Sequence, residues 1–298
     1  MTRAFVVINP AAGHGASRKL APSILAALRS SGATLEVAET DAPGAATRLA
    51  TRAAHAGWPL VLAVGGDGTV NEVVNGLIAD DGRCLAAVGM INTGRGRDAS
   101  RNLGLPTGVA SVRRLLESER ETAVDLGVVE WANGRRRYFV VAAGAGFDAA
   151  VAARAQGRAG RGTVAYVLAI LASLRAHAPA PVTVTIDGGA PTTRRAAFVV
   201  CANGEYYGGG MKIAPGADVR DGVLDVVVVG NLGRLGLVRW LPSVYRGGHL
   251  RCPEVTSAKA RSVLIESASP LAVHVDGEPE EGTPVRIGVR PGALRVRG

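Results

Sequence analysis

The stretch Leu60-Val61-Leu62-Ala63-Val64-Gly65-Gly66-Asp67-Gly68-Thr69-Val70-Asn71-Glu72 joins an apolar run of strand length to a glycine turn, and the turn opens into a helical pattern. Glycines let backbone N–H groups come close to a phosphate, and the helix that follows offers the positive end of its dipole. The Gly-Lys-Ser/Thr ending of a Walker loop is absent, so this is a phosphate cradle of another kind. Asp67 is its unusual member. A carboxylate beside a triphosphate repels it unless a divalent cation or an incoming hydroxyl lies between them. The alternative is a tight strand-to-helix turn with Asp67 as its cap.

Outward from this stretch, the first third alternates short apolar runs with helical patterns at 4–9, 16–30, 34–39, 42–56, 60–64, 70–78 and 84–91. Such alternation predicts a parallel sheet with helices on both faces. Ligands of these folds sit at the carboxyl ends of the strands, where the glycine-bearing turns after Ile8 and after Val64 both fall. From Asp125 the texture becomes β-rich, with strand patterns at 126–131, 137–143, 182–186, 196–202, 223–229, 262–266, 272–275 and 285–289. Turns such as Asn133-Gly134 and Asp187-Gly188-Gly189 suit an antiparallel sandwich. The predicted organisation is an α/β domain over 1–124, with 291–298 available to complete it, and a β-rich domain over 125–290. One helical interlude, 147–177, carries Arg154, Arg158, Arg161 and Arg175, either as a solvated face or as a basic patch turned to a membrane.

Composition narrows the class of protein. A chain of 298 residues with 47% apolar content suffices for two buried cores. The net charge of +9 predicts an anionic partner, although lysine occurs only at Lys19, Lys212 and Lys259, so the excess is arginine and compositional drift is the competing explanation. Aromatic residues make up only 4%, with no basic run interleaved with stacking side chains, which argues against nucleic acid. The apolar run at 4–8 ends at Asn9-Pro10, too soon for a secretory signal, and the uncharged run at 162–174 is shorter than the ~20 residues of a membrane span. Cys84, Cys201 and Cys252 have neither the pairing nor the spacing of a disulfide framework or a zinc site, which suits a reducing cytoplasm.

The run from Gly65 to Leu77 resembles the signature of the diacylglycerol kinase catalytic domain, shared by sphingosine, ceramide and soluble bacterial lipid kinases; NAD kinases and phosphofructokinases share its Gly-Gly-Asp-Gly core. Further ordered motifs extend the resemblance over nearly the whole chain: Asn9-Pro10-Ala11-Ala12-Gly13, Gly144-Ala145-Gly146-Phe147-Asp148, Gly208 to Pro215, Asp221-Gly222-Val223-Leu224-Asp225 and Asp276-Gly277-Glu278. The resemblance implies a fold like that of NAD kinase and diacylglycerol kinase, and an ATP-dependent kinase that transfers the γ-phosphate to a lipid hydroxyl in an interdomain cleft. It implies nucleotide contacts from Asn9, Pro10, Ala11, Ala12, Gly13, Thr40, Gly65, Gly66, Asp67, Gly68, Thr69, Val70 and Asn71. It also implies a structural Mg²⁺ on Asp221 with the carbonyls of Asp218 and Val223, joined to the active site through Asp125. Oxygen ligands and retained waters suit Mg²⁺, whereas without it Asp218, Asp221 and Asp225 are turn and strand-edge acids and Asp125 a hinge residue.

Asp276 and Glu278 are the candidates, with Asp67, for catalytic carboxylates that receive the hydroxyl proton as the new P–O bond forms. In an extended segment, positions two apart share a face, which would aim both at the cleft; a β-turn with two solvated acids is the alternative. The chain departs from the family at Gly94-Arg95-Gly96-Arg97-Asp98-Ala99-Ser100-Arg101, where Arg95 replaces a nucleotide-contacting threonine and Arg97 an asparagine, while Asp98 and Arg101 match. Thr93 is placed to supply the lost hydroxyl, and the two guanidinium groups either clamp an anion or swing outward. Expected partners are a lipid substrate and the anionic inner face of the membrane, with a homodimer left open. Two other functions compete: a kinase for a soluble acceptor such as NAD, and a lipid- or nucleotide-binding protein without turnover.

Overall fold

The computed structural model describes residues 2–94, 96–109, 111, 112, 115, 120–156 and 162–298, with backbone alone at 156, 162–166 and 176. The chain divides into two compact units, Met1–Asp125 with Gly292–Gly298, and Leu126–Pro291.

In the first unit, strands β1 (Arg3–Ile8), β2 (Thr34–Glu39), β3 (Leu60–Gly65) and β4 (Ala87–Asn92) form a parallel sheet in the order β2-β1-β3-β4. The end of the C-terminal strand returns beside β4, with Val296 opposite Val88 and Arg297 opposite Gly89. Every residue of β3 and β4 is buried. That is why these segments read as unbroken apolar runs rather than alternating ones: a parallel sheet is covered on both faces. Ala4, Val6, Ile8, Leu60, Leu62 and Val64 share a core with Ile24 and Leu28 of helix α1 (Ala12–Ser30). Helices α2 (Ala45–His55) and α3 (Asp67–Leu77) pack against each other and on β3.

In the second unit, the part of β5 (Glu121–Trp131) beyond Asp125 pairs with β6 (Arg136–Phe139), and an antiparallel sheet of six strands runs in the order β14-β13-β10-β7-β16-β17. Its strands are β7 (Ala142–Gly146), β10 (Phe198–Ala202), β13 (Leu224–Val229), β14 (Val255–Ala260), β16 (Val273–Val275) and β17 (Glu278–Glu280). Facing it are β8 (Ala180–Ile186), β9 (Thr192–Ala196), β15 (Ser262–Glu266) and the first part of β18 (Val285–Arg297), also antiparallel. Alternate residues of both layers, among them Val182, Val184, Val199, Cys201, Val226, Val228, Val263 and Ile265, fill one core, as the period of two requires in a sandwich.

The helical interlude is two helices, α5 (Phe147–Gln156) and α6 (Gly162–Ser173), followed by a 3₁₀ turn at Leu174–Ala176. A further helix, α7 (Arg234–Val244), stands where the sequence reading expected only strands and turns. None of its residues is fully buried, so it carries no core stripe to betray it. The strand expected over 137–143 is likewise two strands, β6 and β7, separated by a bend at Val140 and Val141. No helix among the described residues is long and apolar enough to cross a membrane.

Candidate functional site

Three loops meet at the carboxyl ends of β1, β3 and β4. Thr93 and Gly94 both donate their backbone N–H to the Gly65 carbonyl, at 2.7 and 3.2 Å. Asn9 donates its backbone N–H to Val64 O (2.9 Å) and its amide Nδ2 to Thr69 Oγ1 (3.0 Å), while its Oδ1 accepts from the Ala11 N–H (3.1 Å). Thr40 follows β2 at the same edge and donates its N–H to Ile8 O. After Pro10, the residues Gly13, His14 and Gly15 are all left-handed, with φ of 62°, 56° and 85°, so the regular turns of α1 begin only beyond them. A β-carbon on Gly13 would lie 2.8 Å from the Thr93 carbonyl, and one on Gly94 would lie 2.6 Å from Gly66 Cα. The loops touch backbone to backbone, a contact that only glycine permits. Thr93 Oγ1 and Ser100 Oγ are buried here without a hydrogen-bond partner among the described residues.

The helix after the glycine turn is itself anchored. Glu72 accepts the backbone N–H groups of Gly44 and Ala46, both at 3.0 Å, and so satisfies the first amides of α2 with a charge suited to a helix N-terminus. Thr47 and Thr51 donate their hydroxyls back to the carbonyls of Glu72 and Gly76. In the Asn71-Glu72 part of the signature, Asn71 is buried and Glu72 ties α2 to α3.

Asp67 faces the loop that follows β4. Its carboxylate accepts from Asn92 Nδ2 (3.0 Å) and lies 3.3 and 3.4 Å from the backbone nitrogens of Asp98 and Ala99, at the start of α4 (Asp98–Asn102). It therefore organises the neighbouring loop. Asp98 is buried and paired with Arg101. Arg97 is left-handed (φ 58°), and its Nε turns back to the Gly94 carbonyl (3.1 Å) rather than forming an open clamp. Arg95 lies outside the described residues. Asp125 is buried and accepts the Gly292 N–H (2.7 Å), fastening the returning C-terminal segment.

In the second unit the acidic turn is more constrained than its parity implied. Asp276 and Gly277 have φ of 48° and 81° and form the two-residue turn between β16 and β17, with Val275 paired to Glu278. Because the chain reverses there, Asp276 and Glu278 do not share a face as they would along one strand. Asp276 Oδ2 accepts from Val140 N–H (2.9 Å), and Oδ1 from Val141 and Ala142 N–H (2.9 and 3.0 Å). Its charge is committed to the bend between β6 and β7. Glu278 is half-buried at the start of β17.

An apolar pocket open to solvent lies beside this turn's strand. Phe147, Ile170, Phe198, Met211 and Trp240 line it, together with two polar groups that composition alone did not single out, Asp148 and His249. His249 Nε2 faces the Ile213 carbonyl (3.0 Å), and burial holds the imidazole below its usual range, so it is a neutral donor at pH 7. Asp148 Oδ2 lies 3.0 Å from His274 Nε2, both side chains being 3% exposed. The Gly277 N–H reaches His274 Nδ1 (3.3 Å), so Nδ1 is the acceptor and Nε2 carries the proton toward Asp148. A continuous hydrogen-bonded path thus leads from the cavity wall through His274 to the turn that precedes Glu278. The register that pairs His274 with Gly144 assembles it across 126 residues of sequence.

Residues 3–129 match the family model of the diacylglycerol kinase catalytic domain, and residues 140–298 that of the YegS C-terminal NAD kinase beta sandwich-like domain. The diacylglycerol kinase of Mycobacterium tuberculosis is 33% identical over 292 residues, covering 97% of this chain and 92% of that protein. The diacylglycerol kinase of Bacillus subtilis is 28% identical over 281 residues, covering 93% and 90%. A crystal structure of a diacylglycerol kinase from Bacillus anthracis superposes with a TM-score of 0.75 at 25% identity, covering 99% of this chain and 96% of that one. An NAD kinase from Archaeoglobus fulgidus, solved with ATP, shares the fold, with a TM-score of 0.53 at 15% identity.

Proposed function

Since the chain belongs to the diacylglycerol kinase family, and so is a kinase with an alcohol acceptor, we propose that it transfers the γ-phosphate of ATP to a lipid hydroxyl. The observation that carries this reading is the apolar cavity whose polar wall, Asp148 with His274, runs by hydrogen bonds to the turn that precedes Glu278. Such a cavity suits an acyl chain, and a short polar path at one wall suits the hydroxyl end of the same molecule.

The donor phosphates belong on the loops after β1, β3 and β4. Left-handed Gly13 to Gly15, the glycines of the turn after β3 and the buried, unsatisfied Thr93 hydroxyl fit a polyanion, with Asn9 and Asp67 holding the loops in register. Mg²⁺ enters bound to ATP, as part of the substrate, and neutralises phosphate charge. Glu278 is the general base: Asp276 is committed to the amides of Val140, Val141 and Ala142, and Glu278 is the acid that follows it, half-buried at the start of β17. His274 and Asp148 orient the acceptor end of the lipid. Catalysis on this reading is chiefly positioning and charge neutralisation.

The acceptor is drawn from an anionic bilayer. Leu168 and Leu171 on α6 are 51% and 44% exposed, and Leu235 and Val238 on α7 are 86% and 43% exposed, on the two helices that contribute Ile170 and Trp240 to the cavity. Arg234 donates to the Arg175 carbonyl (2.8 Å), tying the two segments together. The sequence has no acidic residue between Asp148 and Asp187 or between Asp225 and Glu254, and places four arginines in each interval. Exposed apolar side chains on segments that are rich in arginine and free of acidic residues in sequence suit a negatively charged membrane. Vesicles containing a diacylglycerol, incubated with the protein and Mg–ATP, are expected to yield the phosphorylated lipid by mass spectrometry, at a rate that rises with the fraction of anionic lipid. A rate indifferent to anionic lipid would remove the membrane surface from this reading.

A further inference from the structure

The family resemblance puts a structural Mg²⁺ on Asp221 with the carbonyls of Asp218 and Val223, and the donors found there do not fit it. Asp221 Oδ1 accepts the Val223 N–H (3.2 Å), and Oδ2 accepts from Lys259 Nζ at 2.6 Å. The Asp218 carbonyl receives the Asp221 N–H (3.3 Å), and Asp218 Oδ1 receives the Arg220 N–H (3.1 Å). Lys259 stands directly opposite Asp225 in the β13–β14 register, with its Nζ 3.6 Å from Asp225 Oδ2. Mg²⁺ requires oxygen ligands in near-octahedral array and keeps several waters. An ammonium in contact with the one carboxylate the ion would use takes its place and repels it.

We propose that the Lys259 ammonium takes the place of the structural metal in this chain, bridging Asp221 and Asp225 so that the 218–225 turn is shaped without a divalent ion. Residue choice points the same way. Lysine and arginine together number 34, yet lysine occupies only positions 19, 212 and 259. An ammonium is a compact point charge on a flexible stem and resembles an ion, whereas a planar guanidinium does not. Lys259 is half exposed, so its role is local shape rather than a large contribution to global stability.

The test uses nucleotide-free protein, which separates this turn from the ion that travels with ATP, and so is independent of the lipid-kinase reading. Mn²⁺ binding is followed by electron paramagnetic resonance, with circular dichroism as the check on folding. Wild-type protein is expected to bind no Mn²⁺ at the turn. Lys259→Met, which keeps the stem and removes the charge, is expected to gain one Mn²⁺ site that Mg²⁺ displaces and that the further change Asp221→Asn abolishes; Lys259→Gln serves in its place should the methionine variant fail to fold. Wild-type protein that already binds one Mn²⁺, lost on Asp221→Asn, would overturn the proposal. So would charge-removed variants that fold and gain no site.

Discussion

Glu278→Gln is expected to lower the turnover of ATP-dependent lipid phosphorylation by about 10²–10⁴-fold, the contribution typical of a general base, with ATP affinity unchanged. Glutamine keeps the size of the side chain and removes its ability to take a proton. A transfer to a hydroxyl requires that proton to leave as the P–O bond forms, so the loss belongs in kcat rather than KM. Urea unfolding of the same variant checks that the loss is one of turnover and not of fold. Full turnover in a folded Glu278→Gln protein would take the base away from this position.

Asp276→Asn is expected to act on the fold instead. Oδ1 and Oδ2 together accept three backbone N–H groups, from Val140, Val141 and Ala142. Asparagine tolerates the left-handed backbone at this position (φ 48°) as well as aspartate does, so the turn itself is not the source of the loss. In whichever orientation its amide settles, an NH₂ group must face an N–H donor, leaving that donor unsatisfied at a cost of about 1–3 kcal/mol. Removing the negative charge weakens the bonds that remain. The midpoint of urea unfolding is the measurement. A variant with unchanged stability and abolished turnover would make Asp276, not Glu278, the proton acceptor.

These two acids also mark where sequence reasoning stops. Strand β3 and the turn after it were legible because a parallel strand buried on both faces reads as one apolar run and a glycine-rich turn follows at once. The side-by-side placement of Asp276 and Glu278 was not, because it assumed an extended chain. Asp-Gly between apolar strands is a hairpin signal, and the two left-handed residues reverse the chain between Val275 and Glu278. The contacts of Asp67 with Asn92 and the start of α4 were not legible either, because they join residues 25 to 32 positions apart that only the meeting of the loops after β3 and β4 brings together. Asp148 was visible only as part of a motif, since its partner His274 is brought near by sheet register alone. Lys259 reaches Asp221 in the same way, through its pairing opposite Asp225. Helix α7 was not legible because it covers a cavity instead of filling a core, so it shows no buried stripe.

The fold is shared with NAD kinases, so the choice of acceptor is the point on which the functional reading stands. The most direct measurement offers γ-labelled ATP with Mg²⁺ to the purified protein in the presence of both diacylglycerol-containing vesicles and NAD, followed by partition between organic and aqueous phases. Label in an organic-soluble phospholipid, with none in a phosphorylated dinucleotide, is the predicted result; label confined to the dinucleotide would contradict it.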